Sequence, residues 1–177
     1  MVQYPKVFRC RDGRAVQVRP LVPEDLVPLL EFFAALPEGD RLHLRVDVAR
    51  RDIVERRMFP PPHWNVLRLI ALLGDRIVAE ASIEHRTYGF ASHLGQVRLI
   101  LAPDVRGTGL AHFLGLQVLA HGVAENLVKI EAHLMHDQPA AIRCFEKLGF
   151  EREGALEGFV RDVRGGYHDL LIMSLRI

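Results

Sequence analysis

Arg106-Gly107-Thr108-Gly109-Leu110-Ala111 lies between an apolar run and a helical one. Backbone N–H groups at a helix start have no intrahelical partner and face outward. The helix dipole adds partial positive charge there. Two glycines let the backbone approach an anion closely and take angles that other residues resist. Arg106 can add a charge-assisted hydrogen bond. The segment suits a phosphate or pyrophosphate, and it also reads as a plain tight strand-to-helix turn. It is not a Walker A loop, since no Gly-Lys-Ser/Thr is present, and it is a poor Rossmann fingerprint, since His112 holds the third glycine position.

Other residues invite chemistry less strongly. His133-x-x-His136-Asp137 is the tightest cluster among nine histidines. On an extended strand His133 and His136 point to opposite faces, and no cysteine is near. A structural or solvated role is therefore expected, and no metal. Cys144 has no base beside it in sequence, which argues against an acyl-cysteine route. Arginines 41, 45, 50, 51, 56 and 57 make a local basic stretch. Such a run is ordinarily a solvated face, and it is too local to argue for nucleic acid.

The elements that must position these groups follow from periodicity. Val16 and Val18 alternate with Gln17 and Arg19 as a short strand, ended by Pro20 and Pro23. Leu26, Leu29, Leu30 and Phe33 have helical spacing, and Pro28 puts the start of the regular helix near Asp25. Pro37, Glu38 and Gly39 break it, and Asp40 is placed to cap a second helix. Leu42, Leu44, Val46 and Val48 alternate among Arg41, His43, Arg45 and Asp47. This region reads as a short helix running into a loop, then a helical turn from Asp52 to Met58. Pro60, Pro61 and Pro62 close it.

Val66 to Leu73 and Ile77 to Glu84 flank Gly74–Asp75 as a hairpin. Val97 to Leu101 is a strand, Leu110 to Asn126 a helix, Lys129 to Met135 a strand and Pro139 to Leu148 a helix ending at Gly149. Gly158 to Val163 and Tyr167 to Leu175 form a last hairpin around Gly165–Gly166. The order is β-α-α-β-β-β-α-β-α-β-β, an α/β or α+β domain with a mixed sheet. Val97 to Met135 is a β-α-β unit with a right-handed parallel crossover.

Composition sets the frame. The 177 residues are 49% hydrophobic and 25% charged, with a net charge of +1. This describes one ordinary globular domain, spanning 1–177 with its core over 13–175. No apolar stretch nears the roughly 20 residues of a membrane span. The balanced charge gives no field for gathering nucleic acid. Met1 to Cys10 lacks the apolar segment of a signal peptide. Two cysteines are too few for a disulfide framework, so a cytoplasmic location is expected.

Two motifs together carry a resemblance. Arg106-x-x-Gly109-x-Ala111, after Leu99-Ile100-Leu101 and Pro103, resembles the acyl-CoA signature [RQ]-x-x-G-x-[GA] of the GNAT superfamily of N-acetyltransferases. Gln138-Pro139-Ala140-Ala141-Ile142-Arg143-Cys144-Phe145-Glu146-Lys147-Leu148-Gly149-Phe150 resembles its second hallmark, N-x-x-A-I-x-x-Y-E-K-L-G-F. The element order matches the family over nearly the whole chain. The stretch from Val18-Arg19-Pro20 to Arg45 is weakly similar to bacterial protein lysine acetyltransferase domains.

The resemblance implies a GNAT-like acyl-CoA N-acyltransferase fold. Its sheet would be mixed and mostly antiparallel, with a splayed parallel pair and helices on both faces. Acetyl-CoA would be the cosubstrate, an amine (protein lysine or small molecule) the acceptor, and attack direct, in a ternary complex. Gly107, Thr108, Gly109, Leu110 and Ala111, with Arg106, would bind the pyrophosphate. Leu99, Ile100 and Leu101 would line the pantetheine, lying between the splayed strands Val97 to Leu101 and Lys129 to Met135. The basic arginine stretch would help wall the acceptor site and could favour an acidic acceptor.

Two departures stand out. The family's cofactor-contacting Asn falls on Gln138, which keeps the amide. The family's Tyr, the usual acid for the departing thiolate, falls on Phe145, which cannot donate a proton and would bind the cofactor only by packing near the thioester. A thiol pKa of about 8.5 still makes thiolate a tolerable leaving group. Many relatives place a Glu early in the strand before the turn. Here that region reads Gly95-Gln96-Val97-Arg98, without a carboxylate. An amine of pKa about 10.4 is largely protonated at neutral pH, so some group must accept its proton. The candidates are Glu84 and His133 first, then Glu131, His136, His93 and His168. Tyr167 is a substitute acid, or a sheet residue with a wet hydroxyl. The missing groups also leave open a non-catalytic acyl-CoA-binding or sensing module. Exposed strand edges leave a homodimer open.

Overall fold

The computed structural model describes residues 3–42, 44, 46, 48, 50–162 and 164–177. The chain opens with β1 (Lys6–Arg9) and β2 (Ala15–Pro20), then a 3₁₀ turn at Pro23–Asp25 that leads into α1 (Leu26–Ala34), α2 (Glu38–Leu42) and α3 (Arg51–Met58). The hairpin β3 (Trp64–Leu73) and β4 (Arg76–Arg86) follows, then β5 (Leu94–Leu101), α4 (Leu110–Ala124), β6 (Lys129–Met135) and α5 (Pro139–Lys147). β7 (Glu151–Arg161) and β8 (Tyr167–Arg176) close the chain. The eight strands form one sheet in the order β1-β2-β3-β4-β5-β6-β8-β7. Every pairing is antiparallel except β5 with β6.

Four expectations need correction. β1 carried no sequence signal, being four residues on a sheet edge. Asp40 lies inside α2 rather than capping it. β5 begins at Leu94, three residues before the expected start. β7 begins at Glu151 instead of Gly158, because it is exposed on both faces for almost its whole length and shows no apolar alternation. The predicted end of that strand, Val163, and the predicted loop positions His43, Arg45 and Asp47 lie outside the described residues.

Strand alternation sorts side chains onto two faces. Ile83 of β4 and Ile130 of β6 reach Gly122 of α4, so odd positions of β4 and even positions of β6 face that helix. Glu80, Ser82 and Glu84 of β4 face the other way, where α1 and α3 pack. Both sheet edges are blunted. β1 is short, and β7 carries two register shifts against β8, between Arg152 and Gly154 and between Leu156 and Val160. Bulges and short strands are the usual means of discouraging edge-to-edge pairing.

Asp25 shows how a short polar segment holds the α1 entry. Its two oxygens accept from Arg19 Nη1 and Nη2, both at 2.7 Å, and Oδ2 also accepts the Val22 N–H at 2.9 Å. The hydrogen bonds from Arg19 hold this carboxyl below the usual Asp range. A depressed carboxylate pKa stabilises the fold above the unfolded value and loses that contribution on acidification through the folded value. Asp25→Asn should therefore cost about 1.5–3 kcal/mol at neutral pH. The penalty should shrink as pH falls below about 4, as read by urea denaturation at several pH values.

Candidate active site

Gly107 and Gly109 sit at φ 75° and 92°, left-handed values that an L side chain rarely adopts. Gly109 is the residue before α4, and the first helical turn closes with the Phe113 N–H on its carbonyl at 3.1 Å. Among the described residues, no backbone carbonyl accepts from the N–H groups of Gly107 through His112. Thr108 is buried, and its Oγ1 donates to the Val105 carbonyl at 2.7 Å, which locks the turn from behind. The result is a concave run of donors at a helix start, the arrangement that binds phosphates.

Arg106 is occupied differently from its sequence expectation. Its Nη2 donates to the Leu101 carbonyl at 3.0 Å and to Asp40 Oδ2 at 2.6 Å. The guanidinium thus ties the turn to the end of β5 and to α2.

The β5–β6 pair opens toward this turn. Four residue pairs match, Leu94 with Lys129 through Val97 with Ala132, and pairing then stops. β5 continues to Leu101 along β4, while β6 continues to Met135 along β8. The Ala102 N–H donates to the Val78 carbonyl. By alternation the peptide groups of Ile100 also face β4, and those of Leu99 and Leu101 face the opening. Of the three residues expected to line the pantetheine, Leu99 and Leu101 turn backbone groups to the opening, the Leu101 carbonyl being also held by Arg106, and Ile100 turns its backbone to β4. An extended amide chain entering the gap would pair like an added strand.

The opening has a polar face. The first positions past the last β5–β6 pair are Arg98 and His133, which share the face away from α4. His133 Nε2 lies 3.3 Å from Glu131 Oε2, and Lys129 Nζ lies 3.5 Å from Glu131 Oε1. Glu84, Gln96 and Glu131 are in register across β4, β5 and β6. One Glu84 oxygen accepts from Arg98 Nη2, and the other lies 3.7 Å from Arg68 Nη2. Arg98 Nη2 also donates to Gln96 Oε1 at 3.1 Å.

Behind this row lies a buried ion network. Glu80, 2% exposed, accepts from Arg57 at 3.1 and 3.2 Å and from Arg68 at 3.2 Å. Arg68 Nε donates to the Arg57 carbonyl at 2.9 Å, and the Arg57 guanidinium stands 5.5 Å from the Phe33 ring centroid. Burial pulls the Arg68 guanidinium below its ordinary pKa, against the opposing pull of Glu80 and Glu84. The network joins α3 to the sheet face that carries Glu84 and Arg98.

The other sequence candidates fall elsewhere. His93 precedes β5 at the paired end, where its carbonyl accepts from Val128, away from the opening. His136 lies past the end of β6, its N–H on the Asp169 carbonyl. His168 bonds Asp162 at 2.8 Å in the β7–β8 turn region. Tyr167 is 69% exposed beside Arg161. Phe145 is buried edge-on against Phe150, with centroids 5.1 Å apart. Gln138 Oε1 accepts the Met135 N–H at 3.0 Å, closing the turn before α5 and leaving the amide nitrogen as the group it could offer a ligand. Burial raises the Cys144 thiol pKa, so this is not an activated nucleophile. Among the arginines, Arg50 and Arg51 pair with Asp52 and Glu55 at the surface, and Arg57 turns inward. Arg45 lies outside the described residues.

Sequence reasoning did not single out Glu80, Arg68 or Arg98. The signal was there in Glu80-x-Ser82-x-Glu84, but the alternation alone reads as a solvated face. Among the described residues, no group of three or more metal-ligating side chains is assembled, and no helix is long and apolar enough to cross a membrane.

A parallel pair that parts beside a glycine-bearing helix start is the arrangement that the GNAT resemblance implies. Residues 30–150 match the acetyltransferase (GNAT) family. The chain is 30% identical over 147 residues to the spermidine N(1)-acetyltransferase of Vibrio cholerae serotype O1, covering 82% of this chain and 73% of that protein. Its fold matches the GNAT domain of S. lividans PAT with a TM-score of 0.77 at 15% identity, covering 99% of this chain and 100% of that one. A phosphinothricin acetyltransferase from Sinorhizobium meliloti, solved in complex with AcCoA, superposes with a TM-score of 0.76 at 18% identity, over 92% and 88% of the two chains. The chain belongs to the acetyltransferase (GNAT) family and is an acetyl-CoA-dependent N-acetyltransferase.

Proposed function

We propose that residues 1–177 form one acetyltransferase domain that acetylates an aliphatic primary amine by direct attack in a ternary complex. A single sheet running from β1 to β8 supports the one-domain reading. The observation that carries the mechanism is the end of β5–β6 pairing at Val97 and Ala132, which puts Arg98 and His133 at the mouth of the gap. The amides of Gly107 through Ala111 fit the cofactor's pyrophosphate, and the backbone of Leu99 and Leu101 fits its pantetheine. Acetyl-CoA then supplies an acetyl group on a thiolate that leaves readily.

The amine arrives from the face carrying Glu84, Arg98, Glu131 and His133. His133 is the base of this reading. In the tautomer that donates Nε2–H to Glu131, Nδ1 is the basic nitrogen, and it takes the ammonium proton directly or through one water. Glu131 fixes the ring, as a carboxylate partner does for a general-base histidine. The new C–N bond forms as the C–S bond breaks, and the second proton shed by the amine nitrogen passes to water or to the departed thiolate. The leaving thiolate needs no acid at Phe145, because its conjugate pKa is only about 8.5. The Leu99 amide facing the gap is placed to polarise the carbonyl. Glu84, held between two guanidiniums, orients Arg98 and the acceptor. The two free cysteines suit a reducing cytoplasm.

The cradle is testable apart from the chemistry. Gly109→Glu puts a side chain on a left-handed residue and a carboxylate beside the donors. Acetyl-CoA affinity, read by isothermal titration, should fall more than about tenfold. The acceptor is tested with a panel. The Vibrio relative's name makes a polyamine the first amine to try, with a lysine peptide second. Turnover with no amine of the panel, by a protein that binds acetyl-CoA, would sink the proposal.

A further inference from the structure

We infer that Arg11, in the turn between β1 and β2, supplies the charged side-chain contact to the cofactor's pyrophosphate, the role the sequence motif would give to Arg106. The inference rests on the pyrophosphate lying at the Gly107–Ala111 turn. Three observations carry it. The Arg106 guanidinium is already engaged by the Leu101 carbonyl and by Asp40, at 3.0 and 2.6 Å. It faces the strand end and α2.

The β1–β2 hairpin, in contrast, is fastened onto the phosphate turn. The Arg11 N–H donates to the Thr108 carbonyl at 3.0 Å, and Phe8 stacks on Phe113 of α4 with centroids 4.6 Å apart. Lys6 Nζ reaches Gln117 of the same helix at 2.5 Å. The Arg11 side chain then runs alongside the turn. A Cβ built on Gly109 would lie 3.7 Å from Arg11 Nε and 4.0 Å from its Cγ.

The third observation is partnership. Nearby Arg14 is committed to Asp12 at 2.6 Å and to the Asp104 carbonyl at 2.5 Å. Among the described residues, no acceptor takes a hydrogen bond from the Arg11 guanidinium, which is exposed at the edge of the donor cradle. A planar guanidinium there matches two phosphate oxygens with two N–H donors. This also explains how a chain of net charge +1 binds a polyanion without a basic surface. One cation is brought to the cradle by a separate hairpin.

Titration calorimetry with wild type, Arg11→Gln and Arg11→Lys decides the matter, using CoA, dephospho-CoA and an acetylated pantetheine without phosphates. Arg11→Gln should bind CoA and dephospho-CoA about tenfold more weakly, with Arg11→Lys between it and wild type, and should bind the phosphate-free ligand as wild type does. The wild type's affinity should also fall more steeply with salt than the glutamine variant's. Equal affinity of wild type and Arg11→Gln for CoA overturns the inference. So does a loss that extends to the phosphate-free ligand, which would mark a structural role. A loss confined to CoA and absent for dephospho-CoA overturns the pyrophosphate assignment in favour of the 3′-phosphate. Gly109→Glu distinguishes the cradle from its cation: if it loses affinity while Arg11→Gln does not, only the role of Arg11 falls.

Discussion

His133→Gln is expected to lower kcat by about a hundredfold, while acetyl-CoA affinity stays within about twofold of wild type. Removing a positioned general base commonly costs 10²–10⁴ in rate. The low end applies because the leaving thiolate is good and water can carry part of the proton traffic. Glutamine keeps a hydrogen-bonding group near Glu131 but cannot take up a proton at these pH values. The readout is a pH–rate profile. A base that accepts the amine's proton makes the rate depend on pH beyond deprotonation of the amine itself, and that added dependence should disappear in His133→Gln. Glu131→Gln should lower kcat by a smaller factor, since the base remains and only its orientation is lost. A His133→Gln enzyme with the wild-type profile would transfer the base role to Glu84.

Glu80→Ala is expected to cost about 3–5 kcal/mol of folding stability, the penalty of stranding buried charge. Glu80 is 2% exposed and faces two guanidiniums, those of Arg57 and Arg68. Its removal leaves both next to each other, with Glu84 as the nearest carboxylate at 3.7 Å from Arg68. Chemical denaturation of Glu80→Ala against Arg68→Met and the double variant tests the account. The double variant should recover part of the loss, because it removes one of the two guanidiniums that Glu80→Ala strands and their mutual repulsion, while Arg57 stays without its carboxylate. Additive losses would show that Glu80 and Arg68 are not coupled. The same substitution should raise the acceptor KM, since α3 would lose its polar fastening to the sheet face beside Arg98.

Much of the architecture can be read from residue spacing, and the omissions have physical causes. Gly107 and Gly109 mark the turn because left-handed backbone angles demand glycine, and Pro139 with Gly149 brackets α5 for similar local reasons. The β5-α4-β6 crossover follows from two apolar runs around one helix. β1 and β7 escape because edge strands bury little, so their residues need not alternate. The Glu80 network escapes for another reason. Its partners are 12 and 23 residues away and meet only once β3 and β4 are in register and α3 is docked. Arg11 lies almost 100 residues before the turn it serves, and only the folded hairpin brings the two together.

The candidate site divides in the same way. The left-handed glycine turn at the start of α4 is a local property of a few residues around Gly107 and Gly109, and its backbone shape can be read from the sequence. The pairing of His133 with Glu131 could be suspected from their spacing of two on a strand, which puts them on one face. Their position at the mouth of the opening depends on where β5 and β6 part, which no residue pattern announces.

The proposed reaction is amine-dependent acetyl transfer at the β5–β6 opening. Its most direct measurement follows free CoA thiol and acetylated amine together, with the intact protein, acetyl-CoA and spermidine or a lysine peptide. Thiol and acetylated product should appear in equal amounts, only when an amine is present, and about a hundredfold more slowly with His133→Gln. Thiol release at the same rate without any amine, or no transfer by a protein that binds acetyl-CoA, would contradict it.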